Sequence, residues 1–521
     1  MIADVVIAGA GPNGLMLACE LSLAGTKPLV LERLPERATA QRANGLVGQV
    51  VRMLDRRGLH QRFSGSSEPP QPAPVFVFGA MPLDLSAIED NPMYLMQVPQ
   101  RRIEQVLEER AVELGVEIRW GHELVGLTQD DDAVAIDVAG PDGHYRLRAR
   151  YLVGADGGHS PTRKLSGIGF SGVTKENVVS RLAHVSIPSS LVDPATGGLD
   201  VPGYGVIPPF MHHRTERGVL AYAPFLDGRT AVSTMEWSSA ETDETALTLD
   251  ELRASARRVL GVDLPLEPPE GDGPHLTRRL TGGNTRLADR YRDRRVLLVG
   301  DAAHVHSAIG GPGLNLGLQD TANLGWKLAA ELRGWAPPGL LDSYEAERRP
   351  VARRVVMHTQ AQSALLAPGG ETTALRELFG ELLHEPRNIK HIADMMAGAD
   401  TRYEMGTSAT HPLIGRWAPD LVLDTGTGSV RLAELTANAR PLLLDMTEGA
   451  GLSEDLAGWS DRVEVVSGRS GTSQTAMLLR PDGYVAWASS SAQPDAQERR
   501  SLREALTTWF GPGTAGVSGG S

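Results

Sequence analysis

Apolar and polar positions follow three successive patterns along this chain, and each predicts a different kind of unit. An apolar run over residues 4–8, a glycine turn, a helix-period stretch over 13–24 and a second apolar run over 28–32 predict strand, helix and strand of a parallel, doubly wound layer. Alternating runs over 123–127, 133–138 and 146–153, turned by Pro141-Asp142-Gly143, predict antiparallel strands that lead back to a glycine-rich loop at Gly154. Between 171 and 274 glycine and proline become denser. The short alternating runs 218–223 and 230–237 there predict a mainly antiparallel sheet. An apolar strand over 295–299, a glycine loop and a helix over 316–333 then restore the first pattern, so the first unit is expected to be discontinuous. From 396 onward, strands near 441–446 and 462–466, a hairpin over 476–487 and a helix over 495–510 predict a separate α/β sandwich. The expected fold class is α/β. Residues 1–170 and 275–395 form one domain, 171–274 with a contribution from 75–98 a second, 396–512 a third, and 513–521 a disordered Gly/Ser-rich tail.

Charge and composition narrow the partners. A net charge of -13 with arginines scattered among acids leaves no basic stripe, which argues against nucleic acid and anionic membrane. The longest uncharged apolar stretch, 5–19, is interrupted by three glycines and a proline, so neither a membrane span nor a signal peptide is expected and the protein reads as cytoplasmic. One cysteine, Cys19, excludes an internal disulfide and any CxxC redox or zinc site, and no metal site is expected. Redox chemistry, if present, requires a borrowed cofactor.

Gly9-Ala10-Gly11-Pro12-Asn13-Gly14 satisfies GxGxxG directly between a predicted strand and a predicted helix. In that context the first glycine makes the turn, the second lets backbone approach a pyrophosphate, and the third packs helix on strand. The anion then sits at the helix N-terminus, where unpaired N–H groups and the dipole favour negative charge. Glu32, closing the second strand 18 residues after Gly14, is placed for ribose hydroxyls. NAD and FAD both remain open at this point.

Two further loops bear on that choice: Gly154-Ala155-Asp156-Gly157-Gly158-His159-Ser160-Pro161-Thr162-Arg163, and Gly300-Asp301-Ala302-Ala303-His304 followed by Gly310-Gly311-Pro312-Gly313-Leu314-Asn315. An Asp beside a glycine at a strand end can accept hydrogen bonds from sugar hydroxyls, and two such loops far apart imply one extended ligand. The helix entered through Gly313, Leu314 and Asn315 presents N–H groups suited to the pyrimidine edge of a flavin, where negative charge grows on reduction.

In order and rough spacing the three loops resemble the fingerprints of class A flavoprotein monooxygenases, and the run 300–329 resembles their bacterial polyketide-tailoring branch. The resemblance spans nearly the whole chain, tail included. It implies a Rossmann-like FAD-binding domain, an antiparallel substrate domain and a thioredoxin-like tail without CxxC. It implies noncovalent FAD, with NAD(P)H as a transient reductant and O2 as co-substrate. The site residues it implies are Gly9, Gly11, Pro12, Asn13, Gly14, Glu32 and Arg33 for the ADP half. Arg42 and Gln100 are implied for the flavin phosphates and ribityl chain, Gly300 and Asp301 for ribityl and phosphate, and Asp156 and Arg163 for the nicotinamide and pyrophosphate region. Gly311, Pro312, Gly313, Leu314 and Asn315 are implied beside the flavin ring. The implied reaction is hydroxylation of a polycyclic aromatic through oxygen added at flavin C4a, with Baeyer-Villiger oxygenation, oxidative inactivation of an aromatic antibiotic, and flavin binding without turnover as alternatives. The chain departs from the branch at Ala308, usually Pro, and Pro312, usually Gln, which bears on how the flavin is seated.

For the substrate side, aromatic and methionine side chains in 75–98 and 171–274 are candidate lining in a chain only 5% aromatic: Phe78, Met96, Tyr204, Phe210, Met211, Tyr222 and Trp237. Of the adjacent His212 and His213, at most one can face a pocket, because neighbours on a strand point to opposite faces. No catalytic residue is assigned from sequence. A monomer or homodimer is expected.

Overall fold

A computed structural model describes residues 2–37, 45–225, 228–237, 246–271, 275–307, 309–447, 449 and 451–514. Its first sheet runs, edge to edge, through Arg292–Asp293, Val296–Leu298, Gly143–Gly154, Ala3–Ala8, Pro28–Glu32 and Glu117–Trp120. Ala3–Ala8 pairs in parallel with Gly143–Gly154 and Pro28–Glu32, and Val296–Leu298 is parallel to Gly143–Gly154. Such strands are covered on both faces and read as continuous apolar runs; Val5, Val6 and Ile7 are fully buried. The antiparallel pair Glu123–Gln129 and Val134–Gly140 hangs from Gly143–Gly154.

Helices Pro12–Leu23 and Pro312–Leu332 cross this sheet side by side. Both begin with proline at a first-turn position, where its missing N–H costs no helical bond. Glycines permit the close approach: a side chain at Gly325 would stand 2.6 Å from the Cβ of Glu20, and one at Gly317 would overlap Asn13. Cys19, on the first of these helices, is buried, and burial together with Glu20 pushes its thiol up to about 12. That excludes a reactive thiolate at neutral pH.

The second sheet is antiparallel, in the order His212–Arg214, Val219–Pro224, Thr230–Trp237, Phe170–Val185, Thr277–Ala288, His304–Val305. It extends past the expected limit at 274, because Phe170–Val185 pairs along its length with Thr277–Ala288. The polar, arginine-rich TRRLTGGNTRLA of that partner gives no apolar strand signal. Helix Leu249–Leu260, capped by Thr248 and closed by left-handed Gly261, covers one face over Leu220, Tyr222, Val232 and Ala183. The opposite face meets the first unit where Val219 packs with Ile309 and Leu366.

In the tail, Leu442–Asp445 is parallel to Glu464–Ser467 and antiparallel to Ala476–Leu479, which pairs with Val485–Ser489. Asp495 and Glu498 form a capping box at helix Ala496–Phe510. The tail core is continuous with Trp326 and Ala330 on helix Pro312–Leu332, so the tail is docked. Among the described residues no helix is long and apolar enough to cross a membrane.

Candidate functional site

Three glycine loops meet at the C-terminal ends of three adjacent parallel strands, Ala3–Ala8, Gly143–Gly154 and Val296–Leu298. In open parallel sheets that edge is where ligands bind. The three glycines of the first loop divide their work. Gly9 has φ +109, and a Cβ on it would lie 2.5 Å from the carbonyl oxygen of Ala155, so it joins the first loop to the second. A Cβ on Gly14 would overlap the Gly9 carbonyl, the tight helix-on-strand contact. At Gly11 no atom lies within 4 Å of the Cβ position, and the residue caps its helix without a side-chain hydrogen bond. The first turn therefore presents bare N–H groups toward open space.

Glu32 closes its strand beside this loop, accepting from Ala10 N at 2.8 Å and from Leu34 N at 3.0 Å. Its carboxylate keeps lone pairs for a diol. Arg33 is exposed. Pro12 occupies the first helical turn, while the Asn13 side chain turns inward against Gly300 and Gly317, with a buried Oδ1 that has no hydrogen-bond partner. Asn13 thereby wedges the first loop against the third.

The second loop is held by its own side chains. Asp156 accepts from Ser160 Oγ, from Thr162 N at 2.9 Å and from Thr162 Oγ1 at 2.7 Å, capping the short helix Pro161–Leu165. Buried Arg163 donates to Ala302 O at 2.8 Å and Gly158 O at 2.9 Å and lies 3.8 Å over the Phe170 ring. Asp156 thus holds the second loop in shape, and Arg163 locks it to the third.

Asp301 is exposed on the 3-10 turn Gly300–Ala302, and Gly300 there is left-handed at φ +60. Behind the turn sits a fully buried group missed in the sequence. Asp320 accepts from Arg348 Nε at 2.8 Å, from Gly300 N at 3.3 Å and lies 2.7 Å from His304 Nε2; Arg348 donates to the Tyr403 hydroxyl at 2.9 Å. Burial alone would raise the Asp320 carboxyl, but Arg348 and His304 outweigh it and hold it below the usual carboxylate range. A signal was available: Asp320, Asn323 and Lys327 recur at i, i+3 and i+7, a polar stripe along one face of a helix rich in Leu, Ala and Gly.

At the entrance of helix Pro312–Leu332, Gly310 and Gly311 are left-handed, at φ +79 and +69. Asn315 donates to Gly311 O at 2.7 Å and accepts from Val47 N at 3.1 Å, tying strand Gly45–Val47 to the helix start. Gly313 faces the His306 ring, 3.5 Å from its Cβ position, and Leu314 is partly exposed. Burial pushes His306 down to about 4, so it is neutral at physiological pH. A crevice lined by Val47, Pro312, Asn315, Met395 and Met396 runs beside this turn. Gln100, at the start of helix Gln100–Glu113, donates to Glu104 at 2.7 Å. Arg42 and Ala308 lie outside the described residues.

The candidate lining residues scatter. Tyr222 is buried beneath helix Leu249–Leu260, and Tyr204 packs on that same side with its hydroxyl 2.5 Å from His213 Nε2. Phe78 stacks on Phe379 at 5.8 Å, and Met96 is buried opposite Leu46 in the core of the first unit. Phe210 is left-handed, 47% exposed and edge-on to Phe225, with Met211 partly exposed beside it. Trp237 stands on the face toward the first unit, with Met235, Val219 and Ile309. Among the described residues no group of acidic, histidine and cysteine side chains could hold a metal.

The open first turn at Gly11, Glu32 at the neighbouring strand end, exposed Asp301 and the accessible turn at Gly311 are the groups of the three loops that suit an extended dinucleotide such as FAD. A family model described as FAD binding domain matches residues 2–359, and one described as aromatic-ring hydroxylase, C-terminal, matches 411–513. The chain is 42% identical over 520 residues to 12-dehydrotetracycline 5-monooxygenase/anhydrotetracycline 6-monooxygenase of Streptomyces rimosus subsp. rimosus, covering 98% of this chain and 99% of that one. It is 39% identical to rifampicin monooxygenase of Streptomyces venezuelae, covering 98% and 100%. The solved structure of an anhydrotetracycline hydroxylase from Streptomyces rimosus superposes with a TM-score of 0.85 at 39% identity, covering 99% of this chain and 100% of that one.

Proposed function

The chain belongs to the FAD-dependent aromatic-ring hydroxylases, flavoprotein monooxygenases of the polyketide-tailoring kind, and from that premise we propose how its residues serve the reaction. It is an FAD-dependent monooxygenase acting on a polycyclic aromatic, and NAD(P)H is its reductant. Bound FAD supplies the redox chemistry that passes one atom of O2 to the substrate. The chain supplies binding, orientation and exclusion of water.

The observation that carries the reading is the convergence of three glycine loops on one sheet edge, with Gly11 open in front of a bare helix N-terminus. In this assignment Gly9, Gly11 and Gly14 shape the pyrophosphate cradle, Glu32 and Arg33 take the ribose and adenine side, and Asp301 takes the ribityl chain. The first turn from Gly311 to Asn315 faces the flavin ring. Pro12 and Asn13, with Gly300, hold the first and third loops together, and Asp156 and Arg163 fasten the second. Arg42 and Gln100 are assigned to the flavin phosphates on the resemblance alone.

The first sheet with these loops reads as Rossmann-like, formed from 1–170 and 275–395, although Thr277–Ala288 completes the substrate-side sheet built on 171–274. Residues 396–512 read as thioredoxin-like in their strand, hairpin and helix order. With the chain's single cysteine at Cys19, that tail cannot exchange disulfides.

The test is a purified yellow protein whose colour leaves with acid precipitation, and whose NADPH oxidation accelerates with a polycyclic phenol to give a product heavier by one oxygen atom. Colour retained in the pellet, or NADPH oxidation indifferent to every aromatic ligand, would refute the reading. A rifampicin monooxygenase among the relatives favours oxidative inactivation of an antibiotic as the second reading. Protection of a sensitive host by the expressed gene separates the two.

A further inference from the structure

The two adjacent histidines at the edge of the substrate-side sheet are divided between its faces. His213 is in register with Leu220 and lies against the Tyr204 hydroxyl, on the side packed under helix Leu249–Leu260. His212 must then point the other way, with its cross-strand partner Ala221 and with Val219, which meets Ile309 and Leu366 of the first unit. The row that begins at His212 continues through Ala221 and Ser233 to Leu182, and the next row holds Ala223 and Ala231. Alanine and serine fill the middle of this floor, with Leu182 and His184 at its far side, where His184 Nδ1 accepts from Leu276 N at 3.1 Å. The bulky residues Met235 and Trp237 stand toward Ile309.

Small side chains on a sheet face opposite a nucleotide site leave room for a flat ligand, and one polar group at the rim can fix its orientation. Among the described residues His212 has no hydrogen-bond or ion-pair partner, whereas His213 is taken by Tyr204. Burial lowers the His212 pKa, so the ring is neutral and one nitrogen is a free acceptor.

We propose that His212 is a positioning residue that orients the polycyclic substrate by accepting a hydrogen bond from a ring hydroxyl while the rings lie flat on Ala221, Ala223, Ala231 and Ser233. The inference rests on the monooxygenase reading and deepens it. The phenol keeps its proton, because a neutral imidazole is a far weaker base than a phenolate. The hydrogen bond shifts electron density toward the ring and presents one edge of it to the flavin side.

The experiment uses the full chain as purified and two fluorescent four-ring probes, 1-hydroxypyrene and pyrene, with binding read by titration. Wild type is expected to prefer the hydroxylated probe by about tenfold, the discrimination of one hydrogen bond. His212→Phe should collapse that ratio to near unity, and His212→Gln, which keeps an acceptor, should restore most of it. His213→Phe should lower the melting temperature by releasing Tyr204 while leaving the ratio intact. An unchanged ratio in His212→Phe, or an equal collapse in His213→Phe, overturns the proposal. FAD content is read from the visible absorbance of the same samples. A colourless wild type overturns the flavoenzyme reading instead.

Discussion

At Gly11 and Gly14, two glycines of one motif should fail in opposite ways when given the same methyl group. Gly11→Ala adds a Cβ into open space at φ -72, so folding should be unaffected, yet FAD affinity should fall by at least about tenfold because the methyl stands where backbone must approach pyrophosphate. Gly14→Ala drives a Cβ into the Gly9 carbonyl and should cost about 1–3 kcal/mol of stability even without cofactor. Melting curves and FAD titrations of both variants check this; equal stability losses would show that Gly11 is also packed. The motif was legible because its chemistry is local. What could not be read was whether a polar residue beside it faces ligand or protein: Asn13 turns inward, and Asp156 caps its own helix. Aromatic identity says equally little about which face of the sheet a side chain takes: Tyr204 and Tyr222 lie on the side covered by helix Leu249–Leu260, and Ala221, Ala223 and Ser233 alternate onto the other. A second residue-scale prediction concerns His358, whose Nε2 is buried without a partner and whose pKa burial and Arg354 push down to about 4. The unfolded chain takes up this proton near 6.5 while the folded one resists until about 4, so stability present above 6.5 is lost as pH falls through that window. His358→Gln should lose less melting temperature than wild type between pH 6.5 and 4.5; parallel curves would refute it.

Helix Pro312–Leu332 shows what an element adds to its residues. Its first turn faces the candidate flavin site, its middle carries Asp320 against Arg348 and His304, and its last turns carry Trp326 into the tail core. A movement at one end is therefore opposed at two others. The periodic pattern located this helix in the sequence, but not the buried polar stripe along it, because apolar periodicity reports which face is buried and not what satisfies the polar groups there. Pro312 belongs to this scale. It begins the helix with no N–H and a fixed φ, so the first turn offers one donor fewer. Pro312→Gln restores that donor beside Gly313 and Asn315, at a buried position that borders the crevice with Val47 and Met396. Stopped-flow flavin reduction and the fraction of NADPH converted to hydroxylated product should change more than the melting temperature. Identical reduction traces and equal coupling in the two proteins would remove Pro312 from the seating of the flavin.

The whole molecule is assembled through its tail, and the joint is charged as well as apolar. Arg480 of the tail hairpin donates to both carboxylate oxygens of Glu347, at 2.6 and 2.8 Å, and Lys327 donates to Glu347 at 2.7 Å. Asn323 bridges Glu347 and Asp482, and the Arg480 guanidinium lies 4.3 Å over the Trp509 ring. From the other direction Arg57 pairs with Glu20 and donates to Pro481 O at 2.7 Å, and Arg56 donates to Ala418 O at 2.7 Å. Nothing in the sequence matched Glu347 with Arg480, 133 positions apart, since only the fold brings them together. Burial would raise the Glu347 carboxyl, but Arg480 and Lys327 outweigh it and hold it at about 2. The Glu347 carboxylate therefore stays charged across the physiological range, and its contribution is lost as pH falls from about 4.5 toward 2, whereas burial pulls the Lys327 ammonium down to about 8 so that its charge fades as pH rises past that value. Removing one partner of such a group leaves an uncompensated buried charge. Arg480→Met should thus cost about 3–5 kcal/mol and lower FAD retention, because Lys327 and Asn323 lie on the same helix as the flavin-side turn. Truncation after Met396 removes Arg480, Asp482 and the apolar cover of Trp326 together, and should give insoluble or FAD-poor protein. A soluble truncate with unchanged turnover would show the tail to be an accessory, and Arg480→Met with wild-type stability but low FAD would show that the joint acts on the site and not on the fold.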